Sequence, residues 1–113
     1  MNFSEINEFS KDFKRLSKKY KSLPDDLFEF KKIISKIPLG NRKHFAVLHG
    51  LEEVKILKAR FFCKYLRGAS LRITYAYTES STTIYFIELY FKGEQANEDK
   101  NRIKNFLRSF NKQ

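Results

Sequence analysis

A chain of 113 residues has length for one hydrophobic core, and its 12 Phe and 6 Tyr, with no Trp, predict that this core is rich in aromatic rings. Only 4 Gly and 2 Pro exclude a long flexible linker, and the single cysteine, Cys63, excludes an internal disulfide framework and fits a reducing compartment. A net charge of +10 points to a polyanionic or acidic partner, and the excess is steepest over residues 37–79, with 8 cations against 3 anions.

No internal repeat is visible, and no apolar run approaches a membrane span. The N-terminus lacks the basic-then-apolar pattern of a signal peptide, so a cytoplasmic chain with no membrane partner is expected. Residues 2–8 are short and mixed, an edge strand or the lead into a helix. Phe9, Phe13, Leu16 and Tyr20 then recur at helical spacing between lysines, with Ser10 placed to cap the helix. A second helix start follows at once: Ser22 as cap, Pro24 near the first turn, and Asp25 and Asp26 at the positive end of the helix dipole. Leu27, Phe30, Ile34 and Ile37 keep its apolar face until Pro38 and Gly40 end the run. The two helices form a hairpin that must rest its apolar stripe on something.

Phe45-Ala46-Val47-Leu48 reads as a brief strand or a tucked loop, and residues 50–54 lead into the first main strand. Residues 55–92 are rich in β-branched and aromatic residues and are cut by turns at Arg67-Gly68-Ala69-Ser70 and Glu79-Ser80-Ser81, which predicts a three-stranded antiparallel meander. In its second strand Leu71, Ile73, Tyr75 and Tyr77 face one way and Arg72, Thr74 and Ala76 the other. In the third, Tyr85, Ile87, Leu89 and Phe91 alternate with Ile84, Phe86, Glu88, Tyr90 and Lys92. Asn97-Glu98-Asp99 looks like a cap followed by an acidic first turn. Ile103, Phe106, Leu107 and Phe110 then predict a terminal helix with Arg108 and Lys112 near its end. The expected class is α+β, with helices packed on a mostly antiparallel sheet.

Several of these features together resemble the RelE/ParE superfamily of bacterial type II toxins over nearly the whole chain. They are the FSKDFKRLSKKYKSLPDD hairpin, the basic strand ending in CKYLRG, the LRITYAY strand, and IYFIELYFKGEQANED before the last helix. The most specific combination is Arg72-Ile73-Thr74-Tyr75 followed by an apolar strand ending in Lys92. The resemblance implies a single toxin domain over residues 1–113, with the helical hairpin packed on a twisted sheet of 3–5 strands and a C-terminal helix. It implies an activity that needs no metal and no cofactor: cleavage of mRNA on the ribosome, which inhibits translation. The alternatives are poisoning of DNA gyrase, as ParE-type members do, or a decayed member that only binds its antitoxin. A cognate antitoxin is the implied partner, with operator DNA reached through the antitoxin complex.

Such RNA cleavage needs a group to activate the 2′-OH, cations on the scissile phosphate, and an acid or cation at the leaving oxygen. Arg72 matches the family's catalytic arginine and is expected to clamp phosphate as a fork; the plain alternative is an exposed sheet-face arginine. Arg60 and Lys64 share strand parity with Lys58, an RNA-binding candidate, and the first two could raise the local potential or neutralise charge at the leaving group; the plain alternative is a solvated face. Arg67 has the opposite parity unless the strand has ended. A gapless match to the better-known members selects Arg67 and places Cys63 and Tyr65 where those members carry lysines, so restoring the lysine pair needs a bulge or gap.

Lys92 falls near the position where the family carries a basic or acid–base residue, and it shares a face with Glu88, a base or a charge partner. Tyr90 is the candidate for base stacking, whereas Tyr75 and Tyr77 fall on the core face. His44 and His49 lack the spacing and company of metal ligands and read as surface histidines. Cys63 reads as a semi-buried structural thiol.

Overall fold

Both helices of the predicted hairpin form, but neither Ser10 nor Ser22 caps its helix through the side chain. The chain's structure, a computed structural model, describes residues 1–50 and 53–111. In order it runs β1 (Asn2–Glu5), α1 (Asn7–Lys19), α2 (Leu23–Lys36), β2 (Phe45–Gly50), β3 (Lys55–Cys63), β4 (Gly68–Thr78), β5 (Thr83–Phe91) and α3 (Lys100–Asn111). Part of the expected approach to the first main strand, at residues 51–52, and Lys112 lie outside the described residues.

The first residues are both an edge strand and a helix lead. β1 holds β5 as far as Ile6, whose N–H donates to Phe86 O at 3.2 Å, and α1 begins at the next residue. Ser10 therefore sits inside α1 rather than capping it, and its Oγ donates to Glu5 Oε1 at 2.6 Å. Ser22 does occupy the N-cap of α2, yet its hydroxyl turns away from the helix amides. It donates to Asp26 Oδ2 at 2.7 Å and accepts the Tyr65 N–H at 2.9 Å, tying α2 to the β3–β4 turn. Beyond α2, Gly40 has φ +70°, and a Cβ there would lie 2.0 Å from the Phe45 ring, so glycine is required.

The strands form one sheet in the order β1-β5-β4-β3-β2, with β1 parallel to β5 and every other pair antiparallel. The hairpin covers one face: Phe9, Leu16, Phe30 and Ile34 pack on Leu57, Phe61, Ile73, Tyr75 and Phe86. The other face is covered in part by α3, where Phe106 meets Val54, Ile56, Ala76 and Ile87. Asp99 Oδ1 caps α3 by accepting the Arg102 N–H at 3.1 Å. The expected acidic first turn is absent, because the helix begins at Lys100, after the acids.

β4 divides its side chains between the two faces as the alternation requires. β5 does not. Thr74 pairs with Glu88 but Tyr75 with Phe86, so Ile87 is an extra residue and parity inverts across it. Ile84 and Phe86 thus join Leu89 and Phe91 on the hairpin face, while Tyr85 and Ile87 lie under α3.

Past Ile6 the β1 side of β5 has no strand, and side chains close it instead. Asp12 Oδ2 accepts the Leu89 N–H at 3.2 Å, Arg102 Nη1 donates to Ile87 O at 3.1 Å, and the two side chains pair at 2.6 Å. Burial works against the Arg102 charge, but the Asp12 carboxylate outweighs it and holds the guanidinium pKa above its ordinary value. Asp12→Ala leaves both a charge and an amide short of a partner, and should lower unfolding free energy by roughly 2 kcal/mol in urea titrations.

Candidate nucleic-acid interface

The part of the sheet that α3 leaves uncovered carries two strand arginines that have no carboxylate partner among the described residues. Arg60 on β3 stands directly opposite Arg72 on β4, and Arg72 stands opposite Tyr90 on β5. Like charges facing each other across a ladder are unfavourable unless an anion joins them. Among the described residues no carboxylate pairs with either arginine. Arg60 is exposed and Arg72 half-buried. The Arg72 Nη1 donates to the carbonyls of Ala69 at 2.7 Å and Leu71 at 3.0 Å, which anchors one arm of its fork to the start of β4. The pair concentrates positive charge on this face.

Lys92 follows β5 directly, and its N–H still extends the ladder by donating to Ser70 O at 3.0 Å. It is exposed, two residues beyond Tyr90. Lys58 shares the face but is occupied: its Nζ meets Glu98 Oε1 at 2.8 Å, with both side chains largely buried. Burial works against ionisation of Glu98, but Lys58, a backbone N–H and Lys100 outweigh it and hold the carboxyl below its ordinary value of 4.5. A carboxyl depressed on folding stabilises fully above that ordinary value and loses its contribution as pH falls through the folded one. Acid unfolding as pH falls below 4.5 should therefore be shallower in Glu98→Gln than in the parent chain, as read by circular dichroism.

Two expectations need correction. Tyr90 offers no ring for stacking, because it is only 3% exposed, beneath the segment between β5 and α3. Its hydroxyl, buried and without a partner among the described residues, is pushed up to about 12 by burial and by Glu98 and Glu88, against the pull of Arg72. It stays neutral at pH 7. Tyr90→Phe should shift stability by less than about 0.5 kcal/mol or raise it slightly, since a bare buried hydroxyl contributes desolvation cost and no bond. Equilibrium urea unfolding of the two proteins checks this. Glu88, 3% exposed, is neither a free base nor a charge partner: Gln95 Nε2 and the Asp99 N–H each donate to its carboxylate at 2.8 Å. It anchors the segment that buries Tyr90.

Lys64 and Arg67 are not strand residues. The register of β3 and β4 shifts between Phe61 and Cys63, and both cations lie in the turn beyond. Strand parity therefore does not apply to them. Arg67 is exposed with φ +56°, and Lys64 is held by its N–H at 3.3 Å from each oxygen of the buried Asp26. Lys64 and Arg60 both line an open slot beside α2. Asp26 and Ser22, which set this geometry, appear in sequence only as helix-start residues.

Tyr75 is fully buried, and its hydroxyl donates to Pro38 O at 2.7 Å. Cys63 is also fully buried, with Sγ 3.5 Å from Ser22 Oγ. His44 is exposed, and among the described residues no group of three or more His, Cys, Asp or Glu side chains could hold a metal ion.

No protein-family model matches the chain, and no curated protein does. Among solved structures, the archaeal RelE–RelB complex from Pyrococcus horikoshii OT3 matches with a TM-score of 0.61 and 18% identity, covering 81% of this chain and 94% of that one. The fold is RelE-like. The likeness is one of backbone path, since so few residues are shared. On this RelE-like sheet the Arg60–Arg72–Tyr90 row lies beyond the area that α3 packs against, and is open on the Arg60 side.

Proposed function

We propose that the chain is the toxin of a toxin–antitoxin pair and cleaves mRNA on the ribosome. The reading is carried by one observation: two arginines face each other on a RelE-like sheet with, among the described residues, no carboxylate to neutralise them. In the proposed reaction the RNA 2′-oxygen attacks the adjacent phosphorus and the P–O5′ bond breaks. A 2′,3′-cyclic phosphate and a 5′-hydroxyl result, the 2′-OH proton passing to water and a proton arriving on O5′ from water. Arg72 and Arg60 hold the non-bridging oxygens and stabilise the charge that grows on them. Lys92 and Lys64 offset charge at the leaving oxygen, and Arg67 and Lys58 contribute to RNA binding, Lys58 once Glu98 releases it. Antitoxin is the expected protein partner, and the soluble, ribosome-containing compartment the expected place of action.

A second reading follows from what the face lacks. The Tyr90 hydroxyl is pushed up to about 12, and the Glu88 carboxylate oxygens already accept from Gln95 Nε2 and the Asp99 N–H, so neither is placed to take the 2′-OH proton. A toxin that binds without cutting, such as a DNA gyrase inhibitor, fits that deficit. Controlled expression in cells separates the two. New mRNA ends within minutes, with chromosomal DNA intact, support the nuclease. Double-strand DNA breaks and an SOS response with message intact select the gyrase inhibitor.

A further inference from the structure

The sheet ends in two outer strands that are built unlike each other. β1 is four residues long and polar at three of them, Asn2, Ser4 and Glu5, which suits an edge that stays single. β2 spans six residues, Phe45–Gly50, and none of them is charged, in a chain where 32% of residues are. Its one neighbour in the sheet is β3, so alternate residues turn their backbone N–H and C=O outward. Ala46, Val47 and Leu48 are exposed along it, Val47 at 58%.

The two ends of this strand differ in sign. Arg42 and Lys43 precede it and Glu53 follows it. All three are exposed, and none has an ion pair among the described residues. The register shift between Val47 and His49 also bends the strand about Leu48. Such a bend turns away strands that do not share it.

We infer that β2 pairs antiparallel with β2 of a second copy of this chain, about a two-fold axis, so that two sheets join into one. The strand is complementary to itself in that arrangement. The bend of one copy meets the same bend of the other, and the Arg42–Lys43 end of each lies beside the Glu53 end of the other. Parallel pairing would set like charges together instead. An uncharged strand gives an acidic segment or a phosphate backbone nothing to hold along its length. Exposed ion pairs contribute little, so the flanks choose the orientation while the ladder and the Val47 and Leu48 contacts supply the affinity. An interface this small belongs to the weak, reversible class. With the axis perpendicular to the sheet, both copies present their Arg60–Arg72 row on the same side. The pairing does not rest on the function proposed above.

Sedimentation equilibrium of the full chain, from about 10 μM to about 1 mM, tests it. Salt at about 0.15 M screens the repulsion between two chains of +10 each. A reversible monomer–dimer equilibrium is expected, weakened about tenfold or more by Val47→Lys, which sets two ammonium groups face to face. Val47 is exposed, so this variant should keep the parent's melting temperature in dilute solution. Glu53→Arg should weaken the dimer about threefold or more, and adding Arg42→Glu should restore it. Adding Lys11→Glu instead, the same charge change on exposed α1 surface, should not restore it. A chain that stays monomeric to about 1 mM overturns the pairing, as does a dimer that Val47→Lys leaves unchanged. Equal recovery with Lys11→Glu overturns the antiparallel order.

Discussion

Arg72→Ala is expected to slow mRNA cleavage on translating ribosomes by roughly 100- to 1,000-fold, the cost of losing one preorganised donor to a charged transition state. Its backbone anchors at Ala69 and Leu71 hold one arm of the fork still, so the remaining donors are aimed before substrate arrives. Arg72→Lys should recover little, because an ammonium cannot grip two oxygens in the plane of a fork. Arg60→Ala should cost less, about tenfold, since Arg60 is exposed and unanchored. Stability should barely change in either variant, within about 1 kcal/mol, because the substitution also relieves repulsion across β3 and β4. Rates of appearance of new mRNA ends, set beside urea unfolding, check both halves. Equal losses of activity and stability would make Arg72 a structural residue.

The largest effect on stability is expected at Phe86. Its ring is 1% exposed and stacks on Phe9 at 5.3 Å and Phe3 at 5.9 Å, so it joins β1, α1 and the sheet at one point. Phe86→Ala should cost roughly 3–5 kcal/mol, through lost transfer energy and the cavity left between helix and sheet. In a domain of this size that corresponds to a melting temperature lower by on the order of 15 °C. Phe86→Leu should cost less than about 1.5 kcal/mol, since it keeps most of the volume. Differential scanning calorimetry on the three proteins checks the order. A small loss in Phe86→Ala would mean the hairpin does not rest on the sheet through this residue.

Much of the fold was legible because it follows apolar spacing. The stripes through Phe9 and Leu16, Phe30 and Ile34, and Phe106 and Phe110 each found the face they needed, and β4 divided as alternation requires. What escaped the sequence were places where one residue changes the phase. The extra residue at Ile87 inverted the outlook of Ile84 through Ile87 relative to Leu89 and Phe91, and β3 ends at Cys63, which puts Lys64 in the turn, while Arg67 follows the alternative in which the strand has already ended. Period-2 reasoning has no means of locating a bulge. Ser10 failed as a cap because β1 pairing delivers the chain to Ile6 already positioned for a helix.

Within the candidate site, the opposition of Arg60 and Arg72 combines parity with register, and only parity is written in the sequence. Tyr90 has the right parity and is still unavailable, since burial by a loop depends on contacts between distant residues, Glu88 with Gln95 and Lys58 with Glu98. The slot beside α2 is a matter of unequal strand lengths, which no local pattern reports.

The central claim is that the arginine pair holds the phosphate of mRNA being cut. It is tested most directly by adding the parent chain and Arg72→Ala to a reconstituted translating ribosome and mapping the message. The expected result is new ends at fixed positions within the codon being read, carrying 2′,3′-cyclic phosphate, formed by the parent and nearly absent with Arg72→Ala. Intact message at saturating protein, or equal cutting by both proteins, would contradict it.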